Sequence, residues 1–344
     1  MAKNGAPQSL LVRFGVTGSL SRRVLSPILV GLALVGPAAA TAQTEPQPQE
    51  LRAHGSWISW WEGGADGERW FESRGGELFD TSDLYVYQAI DLGSDASGAG
   101  VTTFASCHGP AARPEVQTCA VSQARLPYNS PFRTLVGARR RFGVTALAQH
   151  RGALALGQWR GRRGRLSRVL LKRSGASHFA TLAKRRRARR IDVGDGFVMY
   201  VDKTNRSPGP GRREIPVVYV ADLRGPTPRE RRIASSTDAD CRCVNAVVKV
   251  RDATLDGHHA YWIEEVTRAD GDAPLGTGGS STTTTRLLRV DLLAPQPAVE
   301  GTVIGRATTL AVTGGLVFHD GREPFDQGYR PEWSPADPFT PVEP

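Results

Sequence analysis

The chain has 344 residues, of which 40% are hydrophobic and 23% are charged, and its formal net charge is +10. Without the first 42 residues, 302 remain, which is enough for one large all-β domain or two small ones, and the 25 aromatic residues suffice for a substantial core. The apolar stretch at residues 24–36 is shorter than the roughly 18 to 20 residues that span a bilayer, which favours a cleaved export signal over the alternative, a retained membrane anchor. No later stretch is long and apolar enough to predict a transmembrane span.

The N-terminal region has the pattern of an export signal. Arg22 and Arg23 precede the apolar stretch, and Ala40-Thr41-Ala42 matches the small-x-small pattern that a signal peptidase cleaves. We predict a cleaved signal peptide over residues 1–42 and a flexible lead-in over residues 43–50. The two arginines leave both the ordinary and the twin-arginine export routes open. The predicted location is therefore secreted or in the cell envelope.

A glycine turn followed at once by a short apolar burst recurs five times. These glycines are Gly55, Gly152, Gly196, Gly257 and Gly315. Their spacings of 97, 44, 61 and 58 residues predict stacked copies of one β unit. The 97-residue gap leaves room for a further copy. Gly, Pro, Asp and Ser separate β-branched and aromatic runs, which predicts about four short strands in each unit.

A second strand signal follows most bursts, and three of these signals end in an Asp-Leu pair. The pairs are Asp91-Leu92, Asp222-Leu223 and Asp291-Leu292, whereas the corresponding segment at residues 166–171 lacks one. A single small sheet cannot bury both of its faces alone. Several sheets packed around a central axis can do so, which is the propeller arrangement.

The segment Leu255-Asp256-Gly257-His258-His259-Ala260-Tyr261-Trp262 and the Asp-Leu endings resemble the WD40-like repeats of TolB-type β-propellers. The resemblance implies an all-β fold, a β-propeller of about five to six four-stranded blades over residues 51–320. It implies no particular activity or partner. Residues 321–344 contain six prolines, which predicts an extended C-terminal tail without regular sheet. Its aromatic side chains are expected on the first or last blade, with a partner-binding tail as the alternative.

The four cysteines are predicted to form disulfides, because the protein is expected outside the cytoplasm. We favour Cys107 with Cys119, which leaves Cys241 and Cys243 as a second, strained pair. Both pairs are expected in equivalent connections between blades. A metal site formed by Cys241 and Cys243 with the adjacent His258 and His259 is the alternative. We assign neither a metal nor a cofactor from the sequence.

Positive charge is concentrated in one part of the chain. Residues 133–232 contain 26 Lys and Arg against six Asp and Glu. The candidate binding residues are arginines from this region: Arg139, Arg140, Arg141, Arg163, Arg185, Arg186, Arg187, Arg189 and Arg190. If their blades are adjacent, they form one positive face for an anionic cell-wall polymer or polysaccharide. The alternative is a set of solvated loops. No nucleic-acid-binding motif accompanies the charge, so nucleic acid is not predicted as a partner.

The sequence contains no Gly-x-Ser-x-Gly, His-Glu-x-x-His or phosphate-binding glycine-rich motif. We therefore predict a secreted, non-catalytic binding or scaffold module and assign no catalytic residue. The alternative is an extracellular hydrolase or lyase that acts on a glycan or a peptide at the mouth of the propeller channel. A third possibility is a structural envelope protein whose charge serves only solubility. The sequence does not indicate a protein partner.

Overall fold

The computed structural model describes most of the chain after residue 47. The described residues are 48–64, 67–74, 77–80, 87–109, 113, 116–161, 166–203, 214–237, 246–270, 275, 280–305, 307–319, 332–335 and 340–341. All of them belong to the compact unit Glu45–Pro344. The predicted signal peptide, Arg163, Cys241 and Cys243 lie outside the described residues. The described part of the chain holds no helix with the length and apolar character of a membrane span.

The protein is an all-β propeller whose five blades are antiparallel sheets of four consecutive strands. The first blade contains β1 (Pro48–His54), β2 (Trp57–Gly64), β3 (Gly67–Arg74) and β4 (Glu77–Asp80). The second contains β5 (Tyr87–Ser94), β6 (Gly100–His108), β7 (Thr118–Arg125) and β8 (Asn129–Arg140). The third contains β9 (Gly143–His150), β10 (Ala153–Trp159), β11 (Arg168–Lys172) and β12 (Ala180–Lys184).

The C-terminal half of the chain continues this pattern. The fourth blade contains β13 (Ala188–Gly194), β14 (Phe197–Asp202), β15 (Val217–Asp222) and β16 (Arg229–Ser235). The fifth contains β17 (Ala246–Asp256), β18 (His259–Ala269), β19 (Ser281–Asp291) and β20 (Val299–Ile304), and β24 (Thr340–Pro341) pairs with β20. A smaller sheet of β21 (Leu310–Thr313), β22 (Leu316–His319) and β23 (Glu332–Pro335) lies between the fifth and the first blade.

The apolar core is divided among the junctions of neighbouring sheets. Buried apolar side chains of the described residues form six clusters, one at each junction around the ring. Between the fourth and fifth blades, Phe197 and Met199 pack against Leu255 and Trp262. Between the small sheet and the first blade, Phe318 packs in a cluster with Leu51 and Trp60. Each sheet thus buries both of its faces, as the propeller prediction requires.

Hydrogen bonds between first strands accompany these apolar contacts. The Asp91 carboxylate of β5 accepts a bond from the backbone N–H of Gln149 in β9 at 2.8 Å. The Asp252 carboxylate of β17 accepts one from the Leu310 N–H of β21 at 2.9 Å. At the last junction, the Leu51 N–H donates to the Thr309 hydroxyl at 3.0 Å. The first strands therefore form a polar inner ring.

The predicted glycine turns each connect the first and second strands of a sheet. All five glycines have positive φ, between +58° at Gly55 and +81° at Gly196, a conformation that side chains with a Cβ rarely adopt. The 97-residue gap contains the whole second blade, whose equivalent turn is at Gly98 (φ +86°). The further copy for which the gap left room is therefore present.

The structure corrects the position of one Asp-Leu pair. Asp222 and Asp291 each end the strand that follows the burst, as predicted, and this strand is the third of its blade. Each carboxylate accepts a backbone N–H two residues later, from Arg224 at 3.0 Å and Leu293 at 2.8 Å. Asp91 instead lies in β5, the first strand of the second blade, and it is 4% exposed. The similarity between these segments reflects their apolar content and not an equivalent position.

The cysteine prediction is confirmed for one pair and corrected in its placement. Cys107 and Cys119 form a disulfide with an S–S distance of 2.03 Å. They are directly opposite on β6 and β7, so the bond lies within the second blade and not in a connection between blades.

The C-terminal tail was predicted to lack regular sheet, but it supplies the short strands β23 and β24.

A candidate anion-binding cavity

A polar cavity lies at the N-terminal end of the first strands of the sheets. Its volume is about 390 Å³. All ten lining residues are polar or charged: Glu50, Arg52, Thr145, Arg189, Arg190, Lys203, Arg251, Asp252, Thr308 and Thr309. Five of these side chains are cationic and two are carboxylates. The lining of this cavity therefore has an excess of positive charge.

Three of the cations are held by carboxylates. Arg190 is 4% exposed, and it donates to Asp252 at 2.8 Å and to the Leu310 carbonyl at 2.8 Å. Burial lowers the pKa of Arg190, and the nearby Arg52 lowers it further, while Asp252 opposes both effects. Arg251 donates to Glu265 at 2.6 Å. These cations shape the cavity wall, and their charges are largely compensated.

Arg52 is held in the same way, since its Nε lies 3.5 Å from the Asp91 carboxylate and donates to the Ile90 carbonyl at 3.2 Å. Both members of this pair are buried. Burial raises the pKa of Asp91, and the Arg52 charge acts in the opposite direction. The pair fixes the side of the cavity that the first and second blades form.

Arg189 and Lys203 differ from these three residues. Among the described residues, no carboxylate lies within ion-pair distance of either cation. Arg189 donates one Nη2 bond to the Arg251 carbonyl. Burial lowers the pKa of the Lys203 ammonium below its ordinary value, and the Arg189 charge lowers it further, against a smaller opposing effect of Glu214. Both groups would be stabilised by an incoming anion.

The two carboxylates of the cavity differ in availability. Asp252 Oδ2 accepts bonds from Arg190, from Leu310 N and from the Thr309 hydroxyl at 3.2 Å, while Oδ1 accepts one from Ala253 N at 2.9 Å. Its oxygens are therefore engaged in holding the ring. Glu50 is exposed at the cavity edge. Among the described lining residues, these carboxylates do not form a free pair for acid–base catalysis.

The structure separates the predicted arginines into different environments. Arg139 and Arg140 are at the end of β8, the outer strand of the second blade, and Arg141 follows them; all three are exposed. Arg185 is also exposed, and it connects the third blade to the fourth. Arg189 and Arg190 lie in β13 and line the cavity, so they are on the inside of the ring.

Arg186 and Arg187 lie between these exposed and inner positions and have carboxylate partners. Arg186 pairs with Glu230 at 2.6 Å and with the buried Asp202 at 3.3 Å. Arg187 pairs with Glu214 at 2.9 Å, and its guanidinium lies 4.4 Å from the centre of a Trp159 ring. These contacts link the third and fourth blades and reduce the charge available to a ligand.

Three cavity cations were not among the predicted binding residues: Arg52, Lys203 and Arg251. Each is far from the arginine run in the sequence or separated from it by strand residues. The order of the first strands around the ring brings Arg52 and Arg251 next to Arg189, whereas the ladder between β13 and β14, in which Ala188 is opposite Asp202, brings Lys203 there. One local sign could have indicated Lys203 as a cavity residue. It is a single lysine that directly follows a strand signal, in Val201-Asp202-Lys203.

Comparisons with known proteins do not assign the chain to a family. No protein-family model matches the chain, and no curated protein matches it. Propeller membership is shown, whereas the TolB-type family remains a prediction. A solved structure titled as polysaccharide lyase Uly1 has 14% identity, covers 87% of this chain and 81% of its own, and gives a TM-score of 0.42.

Two further solved structures come from archaeal peptidases. The β-propeller domain of the trilobed protease from Pyrococcus furiosus has 7% identity over 82% of this chain and 92% of its own, with a TM-score of 0.39. Acylaminoacyl peptidase from Pyrococcus horikoshii has 8% identity over 81% of this chain and 50% of its own, with a TM-score of 0.45. At these values, the comparisons carry no conclusion about activity.

Proposed function

We propose that the protein is an extracytoplasmic binding module that takes an anionic unit of a polysaccharide into the cavity lined by the first strands. The observation that carries this proposal is that Arg189 and Lys203 line the same cavity without a carboxylate partner among the described residues, whereas the other cations of the cavity have one. The disulfide between Cys107 and Cys119 supports an oxidising location.

The size and lining of the cavity indicate the class of ligand. A volume of about 390 Å³ is near the lower end of the range for small-molecule sites, about 300–1,000 Å³. It has room for one or two sugar units and not for an extended chain. Hydroxyls of Thr145, Thr308 and Thr309 are present beside the cations. The two cations suit an acidic sugar, which offers a carboxylate to Arg189 and Lys203.

The proposal is tested by titrating the purified chain with a short oligogalacturonate in a salt series, with calorimetry as the readout. We expect saturable binding that weakens steeply as salt rises, because ion pairing near a protein surface is screened. A neutral oligosaccharide of the same length should not bind. No saturable uptake of the acidic oligomer at low salt would refute the proposal.

Three variants separate the cavity from the outer arginines. Lys203→Gln should weaken binding by about tenfold or more, since a hydrogen bond to a charged group contributes about 1.5–3 kcal/mol. Lys203→Arg keeps the charge and should retain most of the affinity. Arg140→Gln removes an exposed charge on the second blade and should have little effect. An equal loss in Arg140→Gln and Lys203→Gln would place the contact on the outer edge instead.

The pH dependence offers an independent readout of Lys203. Because the pKa of its ammonium is lowered, the cation is lost at a lower pH than that of an ordinary lysine. Binding of the acidic oligomer should therefore weaken with rising pH before free lysines titrate. The Lys203→Arg variant should not show this weakening, since its guanidinium stays protonated.

A lyase is the second candidate, and the same lysine favours it. A neutral Lys203 amine could accept the proton from C5 of a bound uronate while Arg189 holds the carboxylate. The C4–O bond would then break, the leaving oxygen would take up a proton, and a C4–C5 double bond would form. The test is ultraviolet absorbance of the unsaturated uronate during incubation with the oligomer. Binding without any increase in absorbance would leave the binding module as the function.

A further inference from the structure

A second cluster of polar groups lies on the fifth blade, away from the cavity. It consists of His258, in the turn between β17 and β18, His259, the first residue of β18, and Asp291, the last residue of β19. One ligating atom from each residue lies within 4.8 Å of those from the other two. The His258 Nε2 is 3.7 Å from Asp291 Oδ1, and the two imidazole rings have their centres 4.2 Å apart.

The backbone holds these three residues together. His259 and Asp291 are directly opposite in the ladder between β18 and β19. The His258 carbonyl accepts a hydrogen bond from the Leu292 N–H at 3.0 Å. Asp291 Oδ1 accepts one from the Leu293 N–H at 2.8 Å. The turn and the strand end are therefore connected on both sides of the cluster, and the Asp291 carboxylate is anchored by the backbone.

We propose that His258, His259 and Asp291 bind one zinc ion. Two imidazole nitrogens and one carboxylate oxygen form a donor set that zinc accepts, with the fourth position left to water or to another ligand. Tetrahedral zinc needs ligand atoms about 3.3 Å apart, given bonds of about 2.0–2.1 Å. The side chains of His258 and Asp291 are 41% and 40% exposed, so rotations about their side-chain bonds can close the remaining distance.

The surrounding charges favour a cation at this position. Asp256 is opposite His259 in the adjacent ladder, and its Oδ2 accepts a bond from the Gly315 N–H at 2.8 Å. The nearest arginine on β19, Arg289, is directed to Glu300, with donor distances of 2.9 and 2.5 Å. The carboxylates thus contribute negative potential, while the arginine charge is compensated on its own side of the strand.

Another histidine–aspartate contact in the chain provides a matched control. His150 Nε2 lies 3.0 Å from Asp195 Oδ1, but the same oxygen pairs with Arg151 at 3.1 Å. A guanidinium therefore occupies the place that a metal ion would need. A variant of His150 removes one imidazole next to a carboxylate without changing the proposed site.

The experiment is a calorimetric titration of the full, untagged chain with zinc chloride after dialysis against a chelator. We expect one zinc per chain and no comparable binding of magnesium, which does not favour imidazole ligands. His259→Ala and Asp291→Asn should each weaken zinc binding at least tenfold, and His258→Ala should do the same. His150→Ala should bind as the wild type does.

Thermal melting separates loss of the site from loss of the fold. Without metal, the variants and the wild type should melt at similar temperatures, because the three side chains are partly exposed. Added zinc should raise the melting temperature of the wild type and of His150→Ala only. Absence of saturable zinc binding would overturn the proposal. Unchanged binding in Asp291→Asn would overturn it as well, since the carboxylate is one of the three ligands.

Discussion

The ion pair between Arg190 and Asp252 predicts a large loss of stability when the carboxylate is removed. The two side chains are 5% and 8% exposed, and Asp252 also accepts bonds from Leu310 and Thr309. In Asp252→Ala, Arg190 keeps its charge in a buried place without this partner. Removing one member of a buried pair costs about 3–5 kcal/mol. The first strands of the fourth and fifth blades and the small sheet lose contacts together.

Urea unfolding is the appropriate measurement, followed by both tryptophan fluorescence and circular dichroism. A slope of about 3 kcal/mol per molar urea, at the upper end for small proteins, converts the expected loss into a midpoint about 1–1.7 M lower. The matched control is Asp222→Ala, which removes a partly exposed partner of the Arg224 side chain and backbone N–H at the end of a strand. Pairs that are not buried contribute little, so its midpoint should fall much less than that of Asp252→Ala. If Asp252→Ala lowers the midpoint no more than Asp222→Ala does, the role assigned to the inner ring is wrong.

Two further predictions concern the blades themselves. Reduction of the disulfide, or replacement of Cys107 and Cys119 by alanine, should lower the free energy of unfolding by about 3 kcal/mol, because the bond closes a loop with a sequence separation of 12 residues. An unchanged midpoint in urea would contradict this prediction. Gly152 and Gly175 have similar φ values, +77° and +75°. A Cβ on Gly152 would lie 2.9 Å from the Ala96 Cβ of the second blade, whereas a Cβ on Gly175 would have no neighbour within 4 Å. Gly175→Ala should therefore lower the free energy of unfolding by about 1–2 kcal/mol through backbone strain alone, and Gly152→Ala should lower it by about 1–3 kcal/mol more through overpacking. Equal losses in the same assay would show that the junction is not tightly packed at Gly152.

The turns of the propeller could be predicted from the sequence because the left-handed backbone requires glycine there. The turn at Gly98 was not predicted, because the strand that follows it, β6, is not a continuous apolar run in the sequence. Thr102 and Thr103 in β6 are buried, and their hydroxyls donate to Glu72 and Gln149 of neighbouring blades. A buried polar pair of this kind cannot be distinguished from a solvent-facing one without the neighbouring strands. The segment that ends at Asp91-Leu92 was therefore grouped with the burst after Gly55 and not with a blade of its own.

The cavity could be predicted only in part, because its charge depends on which carboxylates meet which cations. The run from Lys184 to Arg190 indicated positive charge correctly, but alternation along β13 and its lead-in places successive arginines in different surroundings. Arg190 meets Asp252, 62 residues away, whereas Arg189 meets a backbone carbonyl. Local sequence contains neither partner, so the number of compensated charges could not be derived from it.

The junction between the first blade and the small sheet has a consequence for how the ring can open. In the described ladders, β1 pairs with β2, and β21 pairs with β22, so no backbone ladder joins the two ends of the ring. The hydrogen bond from Leu51 N to the Thr309 hydroxyl and the side chains around Phe318 close the gap. Separation at this seam would expose no new strand edge to water and would break no ladder, so the ring has one defined weak point. Hydrogen exchange should be fastest in the amides that only this seam protects, beginning with that of Leu51.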